Sequence, residues 1–131
     1  MKALVTYFSQ TGNTKLLAET MKEILSTRLE VDFHTIRAVD IDTLNNYDLL
    51  VLGAPCHDSD LAKPAKDFLG KLPESPHFKL AGFFTHATNM PDNKRNRQYF
   101  DKWAGECLSS FEKPCKNKNI EFLGAYHCQG K

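Results

Sequence analysis

Cysteine is scarce in this chain. The four residues, Cys56, Cys107, Cys115 and Cys128, are scattered, with no C-x-x-C pair and no Cys/His spacing of the zinc-site kind. They read as reduced thiols in a reducing compartment, with Cys56 a small apolar filler, and no metal site is expected. Long apolar runs are also missing. Nothing approaches the roughly 20 consecutive apolar residues of a membrane helix, and the segment after Met1-Lys2 has neither the apolar core nor the cleavage site of a signal peptide. No membrane insertion is expected, and a cytoplasmic location is the simplest reading. An excess of charge is lacking too: 17 Lys plus Arg against 16 Asp plus Glu give +1, without the basic surplus of a general nucleic-acid binder.

What is present is an ordinary globular composition. The 131 residues, 41% apolar and 25% charged, can bury one core, so residues 1–131 are expected to form a single domain. The charges are unevenly spread: residues 1–60 carry five basic and nine acidic side chains, residues 61–131 twelve and seven. The densest basic stretch, Lys94-Arg95-Asn96-Arg97, reads as a solvated helix face.

Ala3 to Phe8 is a β-branched and aromatic run interrupted only by Thr6, as in a strand buried on both faces of a parallel sheet. A polar turn, Ser9 to Thr14, leads into an amphipathic helix from Asn13 to about Thr27, with Leu16, Leu17, Met21, Ile24 and Leu25 at helical spacing. Glu30 to Ile36 alternates like an edge strand, and Asp48 to Gly53 is another buried one. A loop at Ala54 to Asp58 precedes a helix over Leu61 to Leu72, closed by Pro73 and Pro76. Lys79 to Thr85 predicts the fourth strand, His86 to about Asn93 a loop, Asn96 to Phe111 a helix with Phe100, Trp103, Cys107 and Phe111 on one face, and Ile120 to Tyr126 the fifth strand. Strands alternating with helices predict an α/β fold with a parallel sheet and right-handed crossovers. Ligands of such sheets bind beyond the carboxyl ends of the strands, which directs attention to residues 9–14, 54–60 and 86–93.

The first of these, Ser9-Gln10-Thr11-Gly12-Asn13-Thr14, stands between a buried strand and a helix. Three hydroxyls and a glycine at the positive end of a helix make an anion cradle. Neither G-x-x-x-x-G-K-[ST] nor G-x-G-x-x-G occurs. Neutral donors without Lys or Arg suit a phosphate monoester held inside the protein, whereas a Ser/Thr-rich helix cap would use fewer hydroxyls.

In this strand-turn-helix setting Tyr7-Phe8-Ser9-Gln10-Thr11-Gly12-Asn13-Thr14 resembles the phosphate-binding loop of the flavodoxins, [S/T]-x-T-G-x-T, and the element order resembles theirs over essentially the whole chain. The resemblance implies a flavodoxin-like, doubly wound, five-stranded parallel sheet of order 2-1-3-4-5. It implies that Ser9, Thr11 and Thr14 donate hydroxyls to the phosphate of FMN, with backbone N–H groups from Gln10 to Thr14, those of Gly12 and Asn13 among them, completing the cage. Ala54, Pro55, Cys56 and His57 would line one face of the flavin ring, with His57 the planar side chain available. The family's glycine beyond that position is missing, since none lies between Gly53 and Gly70, and Asp58 is left as the residue able to turn left-handed. Thr85, His86, Ala87, Thr88 and Asn89 would border the other face and the pyrimidine edge, with Met90 or Tyr99 in place of the usual aromatic. His86 near N1 of the reduced ring would make the potential pH-dependent.

The resemblance implies a flavodoxin-like carrier that binds FMN noncovalently and passes electrons between redox partner proteins. Nothing argues for a substrate-converting site: no paired carboxylates, nucleophile–base pair or metal cluster is evident. The alternative is an NAD(P)H-dependent FMN or quinone reductase of the same fold. A receiver-type regulatory domain is disfavoured, since Tyr7-Phe8-Ser9 stands where acidic residues are required. Near-neutral charge departs from the acidic flavodoxins, so docking would use the acidic N-terminal part or different partners. The residues after Tyr126 leave no room for the family's C-terminal helix, and its absence would uncover apolar sheet; self-association through that face, or a tail removed from a longer parent, is expected.

Overall fold

A computed structural model describes residues 1–10, 12–57, 60–86 and 93–129, excluding the side chains of His57, Asn96, residues 99–105 and Gln129. In chain order the elements are β1 (Lys2–Tyr7), α1 (Asn13–Ser26), β2 (Glu30–Thr35), β3 (Leu49–His57), β4 (Asp60–Leu61), α2 (Lys63–Gly70), β5 (Lys79–His86), α3 (Lys94–Asn117) and β6 (Phe122–Gln129). Two short 3-10 turns lie between β2 and β3. The long strands form a parallel sheet of order β2-β1-β3-β5-β6, the expected topology. The expected count of five omits β4, a two-residue strand that pairs antiparallel with the end of β3.

Strand alternation divides the core between the two faces of the sheet. Leu4, Leu50, Leu52, Leu80 and Phe84 pack under Ala65, Phe68 and Leu69 of α2 and Cys107, Phe111 and Cys115 of α3. On the opposite face Val5, Tyr7, Val51 and Phe83 meet Ala18 of α1, with Leu17, Met21 and Leu25 partly buried beside them. Leu16 and Ile24, also at helical spacing, point outward and are exposed. So are Leu123 and Tyr126 of β6, at 55% and 57%. Leu123 is the extra residue of a bulge, where the register shifts between Leu80 and Ala81, and Gly124 takes the positive φ of 118° that this step requires. No helix among the described residues is long and apolar enough to cross a membrane.

Three elements differ from the sequence expectation. Residues 54–57, expected as loop, continue β3, Asp60 and Leu61 form β4, and residues 61–62, expected as helix, are strand end and the approach to α2. The sequence Asp58-Ser59-Asp60 carries no apolar periodicity to reveal the pairing of β3 with β4. Helix α3 runs to Asn117, through Pro114, whose ring leaves the Ser110 carbonyl without its helical N–H partner. The last strand is displaced to Phe122–Gln129 because the bulge at Leu123 breaks its alternation.

Among the described residues the buried Thr6 hydroxyl has no hydrogen-bond partner. Valine has the same shape without the oxygen, so Thr6→Val is expected to raise stability by up to about 1 kcal/mol in urea unfolding.

Aspartates pin the lower rim of the sheet. Asp32 accepts from the Tyr47 hydroxyl at 2.6 Å and pairs with Lys2 at 3.4 Å; Asp48 accepts from the Lys2 N–H at 2.9 Å and meets the His77 ring at 2.6 Å. The hydrogen bond from Tyr47 holds the Asp32 carboxyl below its ordinary 3.8, and the Lys2 N–H, then His77, do the same for Asp48. Burial, then the Asp32 contact, pushes the Tyr47 phenol up to about 12. Depressed carboxylates contribute stability that is complete above the unfolded-state value and is lost as pH falls through the folded one. The melting temperature is therefore expected to lose these contributions as pH is lowered through and below the ordinary 3.8, with a smaller loss in Asp32→Asn.

Candidate functional site

The order reverses between β1 and β3, and it is beyond the carboxyl ends of strands at such a switch point that sheets of this kind bind ligands. Phe8 N–H donates to the Gly53 carbonyl at 3.0 Å, fixing the chain as it leaves β1 beside β3. The turn then folds on itself: Ser9 Oγ accepts from the Gly12 N–H at 3.1 Å. Gly12 has φ 93° and starts α1, its carbonyl accepting from the Leu16 N–H at 3.0 Å. A side chain at Gly12 would meet no atom within 4 Å, so glycine is needed for its backbone angle and not for space.

Helix α1 has no side-chain cap and no acidic residue in its first turn, so its positive end is not offset from within. Thr14 is 2% exposed and Thr85, at the end of β5, 5%; their hydroxyl oxygens lie 3.0 Å apart. Two hydroxyls sharing one hydrogen bond retain one hydrogen to donate, and Ser9 Oγ, accepting from Gly12, keeps its own. The sequence expectation of a neutral-donor cradle thus finds Ser9, Gly12, Asn13 and Thr14 together at one helix end, and adds Thr85 from the third segment. Gln10 precedes Thr11, which lies outside the described residues.

Ala54 is buried and Pro55 and Cys56 are half-buried along β3. The reading of the cysteines as reduced thiols does not hold for two of them. Cys56 and Cys107 are bonded, with Cα atoms 6.5 Å apart; α3, which packs on β4, β5 and β6, brings together residues 51 apart in sequence. Cys115 and Cys128 are thiols; burial pushes the Cys115 thiol up to about 11 and that of Cys128 upward. The backbone of His57 pairs with Asp60. The Asp60 carboxylate receives the Ser110 hydroxyl of α3, the Lys66 ammonium at 2.7 Å and the Leu61 N–H at 2.7 Å. Burial pushes this carboxyl up, and the hydrogen bonds from Lys66, Ser110 and Leu61 outweigh it, leaving it below the ordinary value.

His86, expected at the start of a loop, is the last residue of β5 and is buried. Its Nε2 lies 3.2 Å from Nδ1 of His127 on β6, and the His127 ring stacks on Phe84 at 5.3 Å. Burial, then Arg97, lowers the pKa of His127 below the ordinary 6.5. His127 was not legible as a site residue; only its register opposite Phe84 places it here. Asp58, Ala87, Thr88, Asn89 and Met90, and the side chains of His57 and Tyr99, lie outside the described residues. Among the described residues no cluster of three or more His, Cys, Asp or Glu is arranged to hold a metal ion.

The model of the family described as "Flavodoxin domain" matches residues 4–131. The chain is 36% identical over 73 residues to "Probable flavodoxin 1" of Bacillus subtilis (strain 168), an alignment covering 54% of this chain and 46% of that protein, so it spans about half the length of that curated relative. Solved structures share the fold. A flavodoxin from the domain Archaea superposes with a TM-score of 0.72 at 19% identity, over 100% of this chain and 86% of that one. Oxidised flavodoxin 2 from Bacillus cereus gives 0.73 at 22% identity, over 98% and 84%. With its order reversal, its Ser9–Gly12 turn before the first helix and a family match over nearly its whole length, this chain belongs to the flavodoxin domain family.

Proposed function

We propose that this protein binds FMN noncovalently and carries electrons between redox partner proteins. The observation that carries the reading is the pair of buried hydroxyls, Thr14 and Thr85, which ties the uncapped end of α1 to the end of β5 beside Ser9 and Gly12. These groups suit a phosphate monoester: the hydrogens left by Ser9 and by the threonine pair are donors, and the helix end adds its partial positive charge. Ser9, Thr11 and Thr14 would hold the phosphate with the N–H groups of residues 10–14, Ala54 to His57 would offer one apolar wall to the ring, and residues 85–89 its other border. The cofactor supplies the redox chemistry; the chain binds it, orients it and sets its surroundings. The His86–His127 pair, with His86 buried and His127 half-buried, would sit beside the ring's rim.

The test is a reductive titration of FMN-loaded protein, first with dithionite and then with NAD(P)H. Bleaching by dithionite and inertness toward NAD(P)H support the carrier. Rapid bleaching by NAD(P)H alone would replace it with the reductase reading. The exposed Leu123 and Tyr126 fit the proposed self-association through the face of β6, which sedimentation equilibrium would detect as a dimer.

A further inference from the structure

Helix α3 is fastened to the β3–β4 hairpin twice. One fastening is covalent: Cys56, half-buried at the end of β3, is bonded to Cys107, which is fully buried on α3. The other is polar: the Ser110 hydroxyl, one helical turn further along the same face of α3, donates to Asp60 of β4, which also holds Lys66 of α2 at 2.7 Å. The hairpin has its own backbone closure as well, through Cys56 opposite Leu61 and the Ala62 N–H on the Pro55 carbonyl at 3.0 Å. The covalent link can therefore open while the polar one keeps α3 in place. The link also ties residues 54–57, which would line one face of the flavin ring, to α3, the helix that follows residues 85–89 on its other border.

We propose that Cys56 and Cys107 form a reversible two-electron redox site, opened by a dithiol and closed by its oxidised form. A thiolate of the reductant attacks Sγ of Cys56, the half-buried sulfur. The Cys56–Cys107 bond breaks, and Sγ of Cys107 leaves with the electron pair and takes a proton. The reductant's second thiol, as thiolate, then attacks the reductant sulfur of the mixed disulfide, and Cys56 leaves and is protonated. Two electrons and two protons pass from the dithiol, which becomes a disulfide, to the two cysteines. Opening removes the covalent fastening, leaves the polar one in place and loosens the walls of the ring site; this last consequence rests on the FMN reading above, whereas the exchange itself does not.

The experiment equilibrates the flavin-free chain with mixtures of reduced and oxidised dithiothreitol, then quenches, denatures and alkylates it, and counts thiols by mass. Two alkylated cysteines, Cys115 and Cys128, are expected at the oxidising end and four at the reducing end. The change should be reversible, and heat unfolding should remain cooperative in the reduced form. A catalytic amount of a C-x-x-C protein dithiol distinguishes a protein source, which would speed opening, from a free dithiol, which would not need it. FMN affinity is expected to fall about threefold on opening and equally in the Cys56→Ser/Cys107→Ser double variant. Four thiols under all oxidising conditions, a bond that opens only after denaturation, or loss of cooperative unfolding on reduction would each overturn the proposal. Normal exchange in a chain that takes up no FMN would leave the redox site standing and remove the cofactor reading instead.

Discussion

Replacing Gly53 with alanine is expected to destabilise the protein by about 3 kcal/mol, which lowers the melting temperature by roughly 10 °C. Gly53 lies directly opposite Phe83 across the β3–β5 ladder, and the Phe83 ring lies over the space a Gly53 side chain would take. A Cβ there would fall 1.9 Å from two atoms of that ring. The ring is fully buried among Val5, Tyr7, Val51 and Ala18, so it has no solvent-facing position to move into. Phe83→Leu alone should also destabilise, by leaving part of the ring's volume empty. Combined with Gly53→Ala, however, it removes the clash, so the double variant should be more stable than the sum of the two losses predicts. Additive losses in a double-mutant cycle would show that the ring does not depend on the missing side chain.

The second large effect belongs to the cradle. Ser9→Ala and Thr14→Val are each expected to weaken FMN binding about tenfold and together about a hundredfold, the scale of hydroxyl hydrogen bonds to a charged phosphate. Thr14→Val also leaves Thr85 without its partner hydroxyl, so its unfolding must be measured alongside. Thr14→Ser keeps the oxygen and should bind within a few fold of the parent. Riboflavin, which lacks the phosphate, should be insensitive to all three. If riboflavin affinity fell in parallel with FMN affinity, the cradle would be acting on the ring site and not on phosphate.

The sheet was legible because its central strands are buried on both faces. The runs 3–8, 48–53 and 79–85 are almost uninterrupted apolar sequence, and the polar turn after the first marks the helix start at Asn13. Ser9, Gly12 and Thr14 were legible for the same reason, as near neighbours in one turn. Thr85 could be placed in the site region from sequence, but not its contact with Thr14, because that contact spans 71 positions and depends on register. His127 was missed because it alternates with ordinary strand residues, and only its place opposite Phe84 sets it against His86. The cysteine bond was hidden in the same way. Spacing patterns report on ligands close in sequence, whereas Cys56 and Cys107 are 51 residues apart and are brought together by the packing of α3. Bulge and hairpin, at Leu123 and at β4, escaped because each breaks the alternation by which strands are recognised.

The central claim, that the carboxyl ends of β1 and β3 carry an FMN site, is tested most directly by titrating purified protein into FMN while following flavin fluorescence and the visible absorption bands. Binding of one FMN per chain is expected, with altered fluorescence, shifted bands and flavin that stays with the protein on gel filtration, and with affinity reduced in the Ser9→Ala/Thr14→Val variant. Flavin fluorescence and absorption that stay those of free FMN at saturating protein, with all the flavin eluting separately, would contradict it.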